Sequence, residues 1–420
     1  VGIGSMALTD LLARDGIALD EHARAVQAMS LKQFVEHPPY QREFRPLYEQ
    51  YLNSGVDWGD GDRFRSPQAG ILQMIAEHGR DAFYRDEVAD ALVQAISQAA
   101  GLVSTEDLQP MQPVVRKPLR GEFAGFEILT MPPPSSGGVA LLETLNILDA
   151  YRGRHARSNK PPPGGDSVHA FVEALKHAFA DRAEYLGDTD FAKVPVARLI
   201  SPAYAAELAK RIDVEQTQPR SAYGRYAPVD DAGTSHFSVI DRHGNAVACT
   251  ETINTMFGSF VVEPKYGIVL NNEMDDFAAV PGEPNAFGLI QSEANAVEPG
   301  KKPLSSMTPT VALQDGRAVY ALGGSGGPMI IGATLQVLLY LVEGDLPPAE
   351  AVARPRIHHQ WVPDILFAEP SVLEKMRSLT ERGHDVHERE KIAAIQAVSR
   401  KADGLRGGSD PRKGGRPAGY

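Results

Sequence analysis

Cysteine is almost absent: Cys249 is the only one in 420 residues, so no disulfide can form within the chain. An oxidising compartment is neither required nor excluded. Long apolar runs are also missing. The best, over 330–342, is interrupted by Gln336 and falls short of the roughly 18 to 20 residues needed to cross a bilayer, so the protein is expected to be soluble with no membrane span. The start, Val1-Gly2-Ile3-Gly4-Ser5-Met6, lacks the basic and apolar stretches of a signal peptide, which leaves no export or a leader already removed. Positive charge is sparse. A formal net charge of −12 and the lack of any dense Lys/Arg run exclude the basic stripe that nucleic-acid binding requires, and point to a small-molecule partner. No internal repeat and no long low-complexity tract occurs.

What is present is ordinary globular composition, 43% hydrophobic and 23% charged, enough for one large core or two to three smaller ones. The first part reads mostly helical. Val88, Leu92, Ala95, Ile96 and Ala99 recur at helical spacing, and Ser104 with Asp107 forms a capping-box pattern. Breaks at Pro132-Pro133-Pro134-Ser135-Ser136-Gly137-Gly138 and at Pro161-Pro162-Pro163-Gly164-Gly165 bracket a helical stretch over 139–151. Asp166 or Ser167 can cap the next helix, whose apolar stripe is Val168, Phe171, Val172, Leu175 and Phe179. Periodicity vanishes over 218–233, which reads as an exposed connecting loop. Strands follow over 236–241, 246–252, 260–263 and 268–270. Two more, 310–313 and 318–322, flank Asp315-Gly316, a strong hairpin signal, and a helix over about 328–342 comes after a glycine cluster. Helices before and hairpins after, without βαβ alternation, predict an α+β fold.

Thr234 stands between the loop and its first strand, in Gly233-Thr234-Ser235-His236-Phe237-Ser238. A threonine hydroxyl is a weak nucleophile unless a base sits beside it, and a free α-amine on the same residue, with a reference pKa of about 7.7 to 8.0, suits that task. Such an amine exists only if the chain is cut before Thr234. The hydroxyl itself can make that cut by attacking the Gly233 carbonyl, where glycine leaves the approach unobstructed. On local residues alone, an unremarkable threonine at a loop-to-strand junction is the commoner outcome. Gly323-Gly324-Ser325-Gly326-Gly327 also matches the nucleophile-elbow pattern, with Asp364 and His384 following in the chain order of a serine α/β-hydrolase, but the parallel βαβ context is missing. No Gly-Lys-Ser/Thr follows to make a phosphate loop. The adjacent His358 and His359 point in different directions on any regular element and read as structural rather than as a metal pair.

The joint pattern is far more specific. Gly233-Thr234-Ser235-His236-Phe237-Ser238 is followed by Asp241 with Gly244-Asn245-Ala246-Val247, by Thr252-Ile253-Asn254-Thr255 with Phe257-Gly258, and by Leu270-Asn271-Asn272-Glu273-Met274-Asp275-Asp276-Phe277. Lys302-Pro303-Leu304-Ser305-Ser306-Met307-Thr308-Pro309-Thr310 and Gly326-Gly327 come next. Upstream stand Met131-Pro132-Pro133-Pro134-Ser135-Ser136-Gly137-Gly138 and Ala178-Phe179-Ala180-Asp181-Arg182; downstream stand His358-His359-Gln360-Trp361 and Ser409-Asp410-Pro411-Arg412. In wording and order, over nearly the whole chain, this resembles the γ-glutamyltransferase family of N-terminal-nucleophile hydrolases.

The resemblance implies a four-layer αββα sandwich, one domain that self-cleavage between Gly233 and Thr234 divides into a large part, 1–233, and a small part, 234–420, which stay associated. It implies Thr234 as nucleophile, Thr252 as a second hydroxyl beside it, and Gly326 and Gly327 as oxyanion donors. Asn254, Glu273 and Asp276 would receive a substrate α-ammonium, and Ser305 and Ser306 its α-carboxylate. The expected reaction is γ-glutamyl transfer from glutathione or a similar amide to water, an amino acid or a peptide, with no metal or organic cofactor, in the periplasm or outside the cell. Family members carry an upstream segment whose Arg-Glu-x-Ala-Pro arginine holds the α-carboxylate; on this resemblance the given sequence starts after it, and the N-terminal part of the family fold is expected to be missing. Alternatives are an acylase of another amide, such as a cephalosporin acylase, and an inactive homologue or fragment.

Overall fold

The computed structural model describes residues 14–156, 164–224, 234–278, 280–283 and 291–419. They form two compact units, one from 1–115 with 255–272 and the other from 116–254 with 273–420. The first unit is mainly helical, with helices Glu21–Glu36, Ala69–His78 and Asp86–Gln98 and a short strand pair, Val262–Glu263 with Ile268–Val269. The Asp86–Gln98 helix buries Val88, Leu92 and Ala95, and the capping box at Ser104 and Asp107 is formed. Both stretches of chain contribute to its cores. Phe260 packs on Phe34 with ring centroids 5.8 Å apart, Lys265 pairs with Glu87, and Tyr266 joins Ile71, Val88 and Leu92.

The second unit is built from β1 (Leu119–Phe123), β2 (Phe126–Thr130), α1 (Gly137–Ala156), α2 (Gly164–Tyr185), α3 (Pro202–Arg211), β3 (Thr234–Ile240), β4 (Ala246–Thr252), β5 (Thr310–Gln314), β6 (Arg317–Ser325), α4 (Met329–Val342), β7 (Ala394–Lys401) and β8 (Gly404–Gly408). Six strands make one antiparallel sheet in the order β8-β7-β6-β5-β2-β1. Asp315 and Gly316 both take positive φ, 51° and 72°, as a two-residue hairpin turn requires. Ala124 and Gly125 do the same, at 50° and 81°, between β1 and β2. The first part is mostly helical as expected, and this hairpin is an addition to it: Phe126, Ile128 and Thr130 alternate inward on β2, a strand pattern too short to stand out in the sequence.

Strand alternation gives the sheet two different faces. Tyr320 and Leu322 on β6 and Ile395 and Ala397 on β7 enter the main core with α1, α2 and α4. Gly323 faces the other way, where a Cβ would lie 2.4 Å from the His236 ring, so the β3–β4 hairpin rests on that face. α4 is buried nearly all round, which accounts for the continuous apolar run over 330–342. Its one interior amide, Gln336, exchanges hydrogen bonds with Ile357 N at 3.0 Å and Ile357 O at 2.8 Å. α2 starts at Gly164, ahead of the caps expected at Asp166 or Ser167. Among the described residues no helix is long and apolar enough to cross a membrane.

Leu335 is fully buried at the centre of α4, whereas Leu405 on β8 is 50% exposed. Urea unfolding of Leu335→Ala should show a loss of about 2–5 kcal/mol, and Leu405→Ala a change within about 0.5 kcal/mol. Equal effects at the two sites would contradict this placement of the core.

Candidate active site

The site begins with strand register. Along β3, Ser235, Phe237 and Val239 are exposed, while Thr234, His236, Ser238 and Ile240 turn inward. Thr234 pairs with Thr252 of β4, and its Oγ1 donates to Thr252 Oγ1 at 3.3 Å. Beyond β4, Asn254 takes φ 74°, a left-handed conformation that asparagine tolerates, and its N–H donates to Thr252 Oγ1 at 2.8 Å. Gly233 and the rest of 225–233 lie outside the described residues, as do 157–163 with Pro161 to Pro163.

Around this pair a small pocket is lined by Thr234, Thr252, Asn254, Asp276, Ser305 and Ser306, with Met307, Gly327, Pro328 and Ile330 closing it. Gly327 has φ 54°. Gly326, at φ 140°, packs on Ala393, where a Cβ would come within 2.7 Å of that residue's Cα. The two glycine carbonyls accept from Ile330 N and Met329 N at 3.1 and 3.2 Å, so the chain turns here into α4, whose N-terminal dipole favours negative charge at this end. Glu273 shares a short 3-10 turn with Asp276 and does not line the pocket.

Asp276 is fixed through its backbone. Its carbonyl accepts from Asn295 Nδ2 at 2.7 Å and Gln291 Nε2 at 3.0 Å, and Asn295 Oδ1 receives Leu304 N at 3.1 Å. One buried amide therefore ties the acidic turn to the loop carrying Ser305 and Ser306. Burial, and secondly the neighbouring Glu273 carboxylate, push the Asp276 carboxyl well above the usual carboxylate range, against the pull of Arg182. Burial raises Glu273 as well.

Four contributors to this site escaped the sequence reading. Lys413 Nζ donates to Thr234 O at 2.7 Å and lies 3.4 Å from Ser235 Oγ and Ser325 Oγ; burial lowers its pKa. It follows directly on the Ser409-Asp410-Pro411-Arg412 motif, and only the fold brings it to β3. Arg182, on α2, donates from Nη2 to Ser306 Oγ at 3.4 Å. Asn295 and Gln291 sit in a stretch with no periodicity and no motif.

The serine-hydrolase arrangement does not assemble. Ser325 ends a strand with antiparallel neighbours on both sides and contacts Lys413, while Asp364 pairs with Lys176 at 3.0 Å and His359 at 3.3 Å, and His384 Nε2 bonds His169 Nδ1 at 2.8 Å. His169, Glu173 and His384 form a buried group whose ligand atoms lie within 4.8 Å of one another. Each atom already has a protein partner: the two rings bond each other, and Glu173 accepts from Thr217 Oγ1 at 2.7 Å and from the Tyr223 hydroxyl. His358 bonds Gln360 Oε1 at 2.8 Å, and His359 Nδ1 accepts Trp361 N at 3.0 Å, so neighbouring groups occupy both histidines. A larger apolar cavity of about 750 Å³, lined by Leu148, Val168, Phe171, Leu339, Ile357 and Met376, contains none of the site residues.

Comparison with known proteins points the same way as the geometry. A family model described as gamma-glutamyltranspeptidase matches residues 6–420. The glutathione hydrolase proenzyme of Escherichia coli (strain K12) is 39% identical over 412 residues, covering 96% of this chain and 68% of that protein. Glutathione hydrolase 2 of Arabidopsis thaliana is 41% identical over 402 residues, covering 89% and 68%. The chain thus spans about two thirds of the length of these relatives. Among solved structures, cephalosporin acylase from Bacillus halodurans superposes with a TM-score of 0.80 at 25% identity, covering 98% of this chain and 73% of that one. The mixed α+β fold is similar to theirs.

The electrostatics are directly measurable. A pH titration of labelled side-chain carboxyls by NMR should show Asp276 and Glu143 holding their protons well above the ordinary carboxylate range, and Asp276→Asn should remove one of these transitions and leave that of Glu143. No raised transition lost in Asp276→Asn would contradict the burial assigned to this residue.

Proposed function

The chain belongs to the γ-glutamyltranspeptidase family, and from that premise we propose that it transfers the γ-glutamyl group of glutathione and related amides through Thr234, after self-cleavage between Gly233 and Thr234. In the first step the Thr234 hydroxyl attacks the Gly233 carbonyl and the peptide nitrogen leaves as an amine, giving an ester that water hydrolyses. Thr234 then carries a free α-amine. With a reference pKa of about 7.7 to 8.0, that amine takes the Oγ proton as Oγ attacks the γ-carbonyl of the substrate. The N–H groups of Gly326 and Gly327 stabilise the oxyanion, and the proton passes to the departing amine. Water, an amino acid or a peptide then attacks the γ-glutamyl ester and releases the group. No metal or organic cofactor enters these steps.

The observation that carries this reading is the pocket itself: Thr234 Oγ1 and Thr252 Oγ1 lie 3.3 Å apart at the edge of a pocket that also holds Asn254, Asp276, Ser305 and Ser306. An amino-acid head group needs acceptors for its ammonium and donors for its carboxylate. Asn254 and Asp276 serve the first from within the pocket, with Glu273 beside Asp276 in the same turn, and Ser305 and Ser306 serve the second. A glutaryl or adipyl amide, as an acylase of the cephalosporin type would take, has no α-ammonium and leaves the acidic groups unpaired, which selects against it.

On this reading 1–233 and 234–420 are the large and small parts of one domain, and they stay together after the cut. Support comes from each unit separately: residues from both sides of position 233 build the core of each. The four-layer arrangement is supported by helices on one face of the six-stranded sheet, the β3–β4 hairpin on the other, and an apolar outer face on that hairpin, where Phe237, Val239 and Val247 are about half exposed and suited to covering by a further helical layer. The family resemblance implies a periplasmic or secreted location.

Intact-mass analysis and N-terminal sequencing of folded protein should find two pieces, the second starting at Thr234, and turnover of a γ-glutamyl anilide. Thr234→Ala should remain a single chain without turnover, while Ser325→Ala is cleaved and active. Turnover that survives Thr234→Ala and is lost in Ser325→Ala would overturn the assignment.

A further inference from the structure

We propose that Arg182 is a positioning residue for the amino-acid head-group site, holding Ser306 and the loop that carries it in place from behind the pocket and adding a positive charge that favours the Asp276 carboxylate. The proposal rests on the reading of Asp276, Ser305 and Ser306 as head-group ligands. Arg182 sits near the C-terminal end of α2 and is only 1% exposed. Its Nε donates to Ser136 Oγ at 2.9 Å, its Nη2 to Ser306 Oγ at 3.4 Å, and its Nη1 has no hydrogen-bond partner among the described residues. A buried guanidinium with an unused N–H is costly and needs a compensating charge. Asp276 is the carboxylate whose charge favours the Arg182 cation; burial still lowers the Arg182 pKa to about 10, which leaves it charged at neutral pH.

Around this cation the Pro132–Gly138 motif becomes a clamp. Ser136 Oγ donates to Ser305 O at 2.7 Å and Ser136 N to the same oxygen at 2.8 Å, while Ser135 Oγ donates to Met307 O at 2.6 Å. Gly137 is required for the approach, since a Cβ there would lie 2.1 Å from Thr308 Oγ1 and 2.5 Å from Met307 O. Ser136 thus both fixes the loop and accepts from Arg182. Neither Arg182 nor Ser136 lines the pocket, so they act through Ser306 and Asp276 rather than on substrate. Among the described residues the charged groups that act on Asp276 are Glu273 and Asp275 from its own turn and Arg182 from α2, which makes Arg182 the one cation in that set. Without it, three carboxyls compete for protons, and Asp276 meets an arriving ammonium uncharged more often.

Steady-state kinetics of the cleaved enzyme with a γ-glutamyl anilide, normalised by active-site titration, test this. Arg182→Gln should raise KM by about tenfold or more with kcat held within about threefold, and should move the acid limb of kcat/KM to higher pH. Arg182→Lys should bring that limb partly back. Ser136→Ala removes an acceptor without changing charge, so it should raise KM and leave the limb where it was. A loss of packing alone would lower the titrated active fraction without moving the limb. Unchanged KM and an unmoved limb in cleaved Arg182→Gln overturn the proposal; should that variant fail to mature, unchanged KM in Ser136→Ala does so. Asp276→Asn separates the two levels: if it leaves KM and the limb intact, the head-group reading itself fails, and if it abolishes turnover while Arg182→Gln leaves both KM and the limb unchanged, only the role of Arg182 falls.

Discussion

The register between β3 and β4 is the constraint on which the site depends. Side chains alternate along a strand, so a slip of one residue would exchange the inward set of Thr234, His236 and Ser238 for the outward set of Ser235, Phe237 and Val239. Thr234 would then face away from the pocket. Several features fix the register. His236 occupies the space that the missing side chain of Gly323 leaves on β6, and its ring nitrogens bond Thr250 Oγ1 at 2.7 Å and Ser238 Oγ at 2.8 Å. At the other end Asp241 accepts His243 N, Asn245 N and Asn245 Nδ2 at 2.7–2.9 Å and shapes the turn. A glycine in one strand and an aspartate in a turn thereby set which hydroxyl faces the pocket.

α2 supplies a second layer of order through its polar face. Arg182 reaches the site, Asp181 accepts from the Tyr204 hydroxyl at 2.6 Å beside a buried Glu143 whose carboxyl burial pushes well up, and Glu173 and Lys176 hold Thr217 and Tyr223. Trp361 Nε1 donates to Arg220 O at 3.0 Å, so the 217–223 stretch that leads toward Thr234 is tied at several points. Burial pulls the nearby His177 and His384 down to about 3, so both stay uncharged through the physiological range.

Legibility in the sequence followed the range of the interaction. Local signals read well: Asp315-Gly316 makes its turn, the Ser104 box caps its helix, and the apolar run over 330–342 is a buried helix whose Gln336 is satisfied by backbone. The apolar stripe of α2 is legible too, but nothing in its spacing signals that His169, Glu173, Lys176 and His177, off that stripe, are buried as well. The β1–β2 hairpin was hidden by its length. Of the residues that motif wording singles out, Thr234, Thr252, Asn254, Asp276, Ser305, Ser306 and Gly327 line one pocket, whereas the contacts of Lys413, Arg182 and Asn295 span long sequence separations that no spacing rule encodes. The PPPSSGG and ADR segments had a resemblance but no stated role until Ser136 and Arg182 were seen to meet behind Ser306.

The central claim is that the acyl group passes through the Thr234 hydroxyl. Acid quenching during turnover of a γ-glutamyl anilide, followed by mass mapping of the piece beginning at Thr234, tests it most directly. The account predicts one γ-glutamyl group, carried as an ester on that N-terminal threonine and discharged by added amino acid. A group found on Ser325, or steady turnover with no adduct on Thr234 under quench conditions that preserve esters, would contradict it.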